Sequence, residues 1–126
     1  MDHTKHRSNE STEDYLETIL SLQKRLSEVR AIDIVREMNF SKPSVSVAMK
    51  NLRERGYIDI DESGHITLTK AGRTQAEHVL EKHTILSNWL ISLGVDPDTA
   101  LEDACRMEHD ISEESFLAIK NHIHAN

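Results

Sequence analysis

The chain has 126 residues, 37% of them apolar and only 4% aromatic, which suits one compact unit with an aliphatic core and excludes a large multidomain enzyme. Its formal net charge of −7, taken as an average, argues against nucleic acid as a partner. No stretch reaches the roughly 20 apolar residues of a membrane span and Met1–Glu13 is too polar for a signal peptide, so a cytoplasmic protein with no membrane partner is expected. The single cysteine, Cys105, fits a reducing compartment and leaves one thiol open to other chemistry.

Ser11–Leu26 carries Tyr15, Leu16, Ile19, Leu22 and Leu26 at helical spacing, which predicts a first helix capped near Ser11, with Asp14 and Glu17 on its polar side. A short second helix is predicted over Ala31–Met38, broken by Phe40 and Ser41. Ser41-Lys42-Pro43-Ser44 then reads as a cap with proline just inside a third helix. That helix, Ser44–Arg55, has Val45, Ala48, Met49 and Leu52 on one face, and Gly56 supplies a left-handed stop. Tyr57-Ile58-Asp59-Ile60-Asp61 alternates, Glu62-Ser63-Gly64 turns, and His65-Ile66-Thr67-Leu68 returns, which predicts a hairpin. Thr69 can cap a long helix extending to about Leu93, with Ala76, Val79, Leu80, Ile85, Leu86, Trp89, Leu90 and Leu93 among its apolar positions and Gly94 ending it. Asp96-Pro97 opens a helix through His109, and Ser112 with Glu113 and Glu114 opens a last one holding Phe116, Leu117, Ile119 and Ile123. The first ten residues and the last few read as loose. The expected fold is mainly α with one small β-hairpin: a winged helix-turn-helix over residues 8–70, then a helical region over 71–126.

The charge is unevenly distributed. Between Lys24 and Arg55 eight basic residues face four acidic ones, whereas the remainder holds seven basic and eighteen acidic. The basic window coincides with the helix-turn-helix, whose second helix enters the major groove in proteins that use this motif on DNA. Arg30, Ser41, Lys42, Pro43, Ser44, Ser46, Val47, Lys50 and Arg53 form the expected double-stranded DNA surface. Hydroxyls and a helix N-terminus bind phosphate oxygens, Lys and Arg add charge, and Val47 can meet a thymine methyl. Arg55 is expected to lie toward the DNA backbone as well.

Cys105, Glu108 and His109 stand at i, i+3 and i+4, so one helix face presents a thiolate, a carboxylate and an imidazole, a ligand set for a divalent transition metal. Asp14 and Glu17 form a second i, i+3 pair, and His83 lies in the long helix. His3, His6, His65, His78, His122 and His124 show no paired spacing and are assigned to the surface.

Glu13-Asp14-Tyr15-Leu16-Glu17-Thr18-Ile19, Ser41-Lys42-Pro43-Ser44-Val45-Ser46, Leu68-Thr69-Lys70-Ala71-Gly72, Lys82-His83 and Ala104-Cys105-Arg106-Met107-Glu108-His109-Asp110-Ile111-Ser112 follow in order over nearly the whole chain. Together they resemble the metal-dependent repressors of the diphtheria-toxin-repressor and manganese-transport-regulator family. The resemblance implies a homodimeric, metal-activated repressor of iron or manganese homeostasis, in the short form without an SH3-like domain, acting on a palindromic operator. It carries over Asp14, Glu17, His83, Cys105, Glu108 and His109 as metal ligands. The position of Asp14 is usually Met in iron-type members and Asp in manganese-type ones, whereas Cys105 is the iron-type choice. An iron-type ancillary site would need Glu and His where Ser87 and Leu101 stand, so that site looks broken. Mn2+ or Fe2+ is the expected ion, with Zn2+, Co2+ or Ni2+ able to substitute, and both one and two ions per subunit stay open. No organic cofactor is expected.

Two other classes are distinguishable. A winged-helix regulator sensing an organic ligand or oxidant through Cys105 would bind DNA without metal. An enzyme using Cys105 and His109 as nucleophile and base is disfavoured, because the spacing suits co-ligands and no catalytic motif accompanies the pair.

Overall fold

A computed structural model describes residues 3–125, with side chains from Thr12 onward. The element order is α1 (His3–Arg25), α2 (Ala31–Met38), α3 (Lys42–Glu54), β1 (Ile58–Ile60), β2 (Ile66–Leu68), α4 (Lys70–Ser92), α5 (Pro97–Asp110) and α6 (Glu113–Ala125). The chain divides into two compact units, the first spanning residues 7–77 and the second residues 78–125 together with residues 3–6, so that one break falls inside α4.

In the first unit α2 packs on α3 and α3 on β1, the arrangement of a winged helix-turn-helix. Local chemistry sets its boundaries. The Asp33 carboxylate accepts the backbone N–H of Arg30 at 2.9 Å and so closes the start of α2. Asn39 ends that helix in the left-handed region at φ 56°, a conformation Asn tolerates better than most residues. Ser41 caps α3, its Oγ accepting the N–H of Ser44 at 3.2 Å, with Pro43 in the first turn. Gly56, at φ 81°, turns the chain out of α3 into the hairpin. The strands pair antiparallel with Ile58 opposite Leu68 and Ile60 opposite Ile66, so Ile58 and Ile66 bury one face while Asp59 and Thr67 stay outside.

Thr69 joins hairpin to helix. Its N–H donates to Tyr57 O at 3.0 Å, its hydroxyl donates to Gly56 O at 2.6 Å, and its Oγ1 accepts the N–H of Gly72 at 3.1 Å. Buried apolar residues of this unit are Tyr15, Leu16, Ile19, Leu20, Leu22, Val29, Ile34, Val45, Met49, Leu52, Ile58, Ile66 and Ala76.

The second unit is a helical cluster in which Leu86 of α4, Ala104 of α5 and Phe116 of α6 form the buried centre. Ile85, Trp89, Met107, Ile111 and Ile119 pack around them. Asp96 caps α5 through Asp98 N–H at 3.2 Å with Pro97 behind it, and Ser112 caps α6 through Ser115 N–H at 3.1 Å. Leu101 and Leu117 remain exposed, as do Ile91 and Leu93 at the end of α4.

Three expectations are corrected. The first helix begins at His3 rather than near Ser11, and the early residues from His3 are helical rather than loose. Leu26, assigned to the apolar stripe, falls just past α1 and is exposed.

Candidate metal centre and nucleic-acid interface

Cys105, Glu108 and His109 lie on one face of α5, as their spacing requires. Glu108 has no exposed side-chain surface, and its two oxygens face two imidazoles: Oε2 lies 3.0 Å from His83 Nδ1 of α4, and Oε1 lies 3.6 Å from His109 Nε2. The His109 ring is only 4% exposed. Cys105, at the open edge of this face, is exposed. Burying a carboxylate costs several kcal/mol unless positive charge or hydrogen bonds compensate, and the two imidazoles stand within reach of both Glu108 oxygens. In the first unit Asp14 and Glu17 stand one turn apart on α1, both half-buried.

A separate charged cluster joins α4 to α6. Lys82 lies 5.9 Å from the centre of the Phe116 ring and 3.7 Å from Glu113, which accepts from His78 Nε2 at 2.9 Å. The His78 hydrogen bond is the main cause of a Glu113 carboxyl held below its ordinary range.

Helix α3 turns Val45, Met49 and Leu52 inward and leaves Lys42, Pro43, Ser44, Ser46, Val47, Lys50 and Arg53 exposed, Val47 at 61%. With Ile60, Gly64 and Ile66 of the hairpin, the outer side of α3 borders a shallow groove of about 400 Å³. From Gly56 to Thr69 the hairpin contains no Lys or Arg but does contain Asp59, Asp61 and Glu62, so the positive charge of this face comes from α3 and from Arg30. Arg55 is exposed; its guanidinium donates to Thr12 at 3.0 Å and lies 5.1 Å from the centre of the Tyr57 ring.

Two histidines assigned to the surface have specific partners. Besides His78, His65 contacts Asp61, Glu28 and Arg30, at 3.1, 3.0 and 2.9 Å. Its i, i+4 relation to Asp61 across the hairpin turn is the one local signal of that network.

The family model described as the iron dependent repressor N-terminal DNA binding domain matches residues 8–66, and the one described as the metal binding and dimerisation domain matches 69–125. The chain is 36% identical over 115 residues to the transcriptional regulator MntR of Escherichia coli O157:H7, covering 91% of this chain and 74% of that protein. It is 31% identical over 106 residues to the HTH-type transcriptional regulator MntR of Listeria monocytogenes serotype 4b (strain CLIP80459), covering 84% and 75%. Among solved structures, the manganese regulator SloR matches with a TM-score of 0.78 at 27% identity, covering 91% of this chain and 54% of that one. A manganese-dependent transcriptional repressor in complex with manganese gives 0.78 and 27%, covering 87% and 51%. The chain thus spans about three quarters of the bacterial MntR proteins and about half of these solved chains. It belongs to the iron-dependent repressor family, a family of metal-dependent DNA-binding transcriptional regulators rather than enzymes.

Proposed function

We propose that this protein is a cytoplasmic, homodimeric repressor that controls iron or manganese homeostasis and holds a palindromic operator when a divalent metal is bound. Glu108 carries the metal part of this reading, because a buried carboxylate facing His83 and His109, with Cys105 on the same helix face, offers oxygen, nitrogen and sulfur donors together. The proposed ligands are Asp14 and Glu17 with His83, Cys105, Glu108 and His109. Mn2+ or Fe2+ is the proposed ion, Zn2+, Co2+ or Ni2+ can substitute, and no organic cofactor takes part. Residues 8–70 are the proposed DNA-binding domain and 71–126 the metal-binding and dimerisation domain.

When bound, the ion supplies the positive charge that lets these donors converge. Ionised, Asp14, Glu17, Glu108 and the Cys105 thiolate repel one another, so their side chains disfavour a joint arrangement until that charge is offset. Leu93, Leu101 and Leu117, exposed in one copy, are the apolar surface proposed to meet a second copy. Dimerisation then places two α3 helices for successive major grooves, with Lys42, Ser44, Lys50 and Arg53 on phosphates and Ser46 and Val47 toward base edges.

The test is competition for manganese and iron against a fluorescent chelator. Wild type is expected to take up metal, and Glu108→Gln, His109→Ala and Asp14→Asn each to weaken uptake by more than about tenfold. Unchanged uptake in all three variants refutes the ligand assignment. Metal-independent DNA binding that responds to peroxide would instead favour an oxidant sensor acting through the exposed Cys105.

A further inference from the structure

His65 sits where the hairpin meets the connection between α1 and α2, with its side chain 22% exposed. On one edge of the ring, Nδ1 lies 3.1 Å from Asp61 Oδ2, and Asp61 Oδ1 also accepts the backbone N–H groups of Ser63 and His65, each at 2.9 Å. Those contacts, the His65 N–H first among them, hold the Asp61 carboxyl below its ordinary range. Facing a carboxylate, Nδ1 carries the proton of the neutral ring, and Nε2 presents its lone pair.

Nε2 has two neighbours of opposite character, the Arg30 guanidinium NH2 at 2.9 Å and the Glu28 carboxylate at 3.0 Å. The lone pair can accept from Arg30 but not serve Glu28, while an N–H at the same atom can donate to Glu28 but repels Arg30. One proton therefore decides which neighbour the ring engages. The other charged groups nearby are Arg73 of α4, in the same hollow as Glu28, Asp61 and His65, and Asp33 of α2, which holds the Arg30 backbone N–H. Arg73 pairs with Glu77 at 3.6 Å, and the backbone bond from Ile66 N–H to Val29 O, 2.7 Å long, ties the hairpin to the connection.

We propose that His65 is a proton-controlled positioning residue for Arg30. The neutral ring holds the guanidinium back, and protonation transfers Nε2 to Glu28 and releases Arg30 to a DNA phosphate. The proposal rests on the DNA-binding reading above and adds to it a pH dependence independent of the metal ligands. By linkage, DNA that draws Arg30 away favours uptake of a proton at Nε2.

The experiment uses the full chain with excess manganese and a fluorescein-labelled mixed-sequence duplex of about 30 base pairs at low salt, where phosphate contacts dominate binding. Anisotropy titrations run from about pH 8 to about pH 5.5, the range in which an imidazole changes charge. His65→Gln keeps an acceptor for Arg30 but cannot titrate there, so the ratio of wild-type to His65→Gln affinity cancels the contributions of metal occupancy and the other histidines. That ratio is expected to rise about two- to fivefold as pH falls, the worth of about one hydrogen bond. It should stay flat when both proteins carry Arg30→Gln, and Glu28→Gln should shift the rise to lower pH.

A flat ratio in the wild-type background, or an equal rise in the Arg30→Gln background, overturns the proposal while leaving DNA binding itself intact. Failure of wild type to bind the duplex at any pH overturns the DNA-binding reading instead. Nitrogen NMR of the metal-free chain gives a check that needs no DNA: a neutral His65 protonated at Nδ1 agrees, and one protonated at Nε2 refutes the mechanism even if a variant folds poorly.

Discussion

Replacing Gly72 with Ala tests how the hairpin is locked to α4. On helix propensity alone the change should stabilise by up to about 1 kcal/mol, since Gly is the poorer helix former. The structure demands the opposite sign. A Cβ on Gly72 would stand 1.9 Å from Tyr57 O, 2.9 Å from Tyr57 C and 3.2 Å from Tyr57 Cα. Ordinary contact needs more than 3 Å, so backbone must retreat by more than about 1 Å, and overpacking of that kind costs about 1–3 kcal/mol. The same carbonyl accepts from Thr69 N–H, a bond worth about 0.5–1.5 kcal/mol that the retreat would break. Gains and losses together give a net destabilisation of about 0.5–4.5 kcal/mol. Urea unfolding followed by helical circular dichroism, at one fixed protein concentration because a dimer's stability depends on it, measures the difference. A Gly72→Ala variant equal to or more stable than wild type would refute the close approach of α4 to Tyr57.

Ser41→Ala removes the cap of α3 and should cost about 1 kcal/mol in the same urea assay, with a smaller loss for Ser41→Gly. Lys50→Ala and Arg53→Ala, on the exposed face of α3, should each reduce the slope of log affinity against log salt by about 0.9 if each meets one phosphate; an unchanged slope places them off the DNA. Asp61 and Glu113 have folded-state pKa values below their unfolded ones, so their contribution to stability is present above the ordinary carboxylate range and lost as pH falls through the folded values. Thermal midpoints across acid pH should therefore fall less steeply for Asp61→Asn and Glu113→Gln than for wild type, and curves parallel to wild type would contradict those pairings.

Much of the architecture is legible because its signals are local. Ser41-Lys42-Pro43, Gly56, Thr69, Gly94, Asp96-Pro97 and Ser112 each act within one turn of chain, and helix ends fall within about two residues of them. The start of α1 lacks such a signal, and the helix runs past Ser11 to His3. Periodicity places Leu93 and Leu117 with the apolar residues, but burial needs something to cover them, and within one copy both are exposed. For the candidate centre, the spacing of Cys105, Glu108 and His109 fixes a shared face of α5, whereas the complete burial of Glu108 depends on packing. His65 and His78 escape notice for a different reason: each has a side-chain partner 35 positions away, Arg30 for one and Glu113 for the other. Spacing rules report contacts within an element and are silent on such pairs.

The net charge of −7 makes the central claim directly measurable, because an acidic chain should hold DNA poorly until a cation is bound. The decisive measurement is duplex binding by wild type in EDTA and then with manganese or iron added singly, beside an Asp14→Ala, His109→Ala double variant. Chelation is expected to abolish wild-type binding, Mn2+ or Fe2+ to restore it, and the double variant to stay weak throughout. Equal affinity of wild type with and without chelator, matched by the double variant, would contradict the central claim.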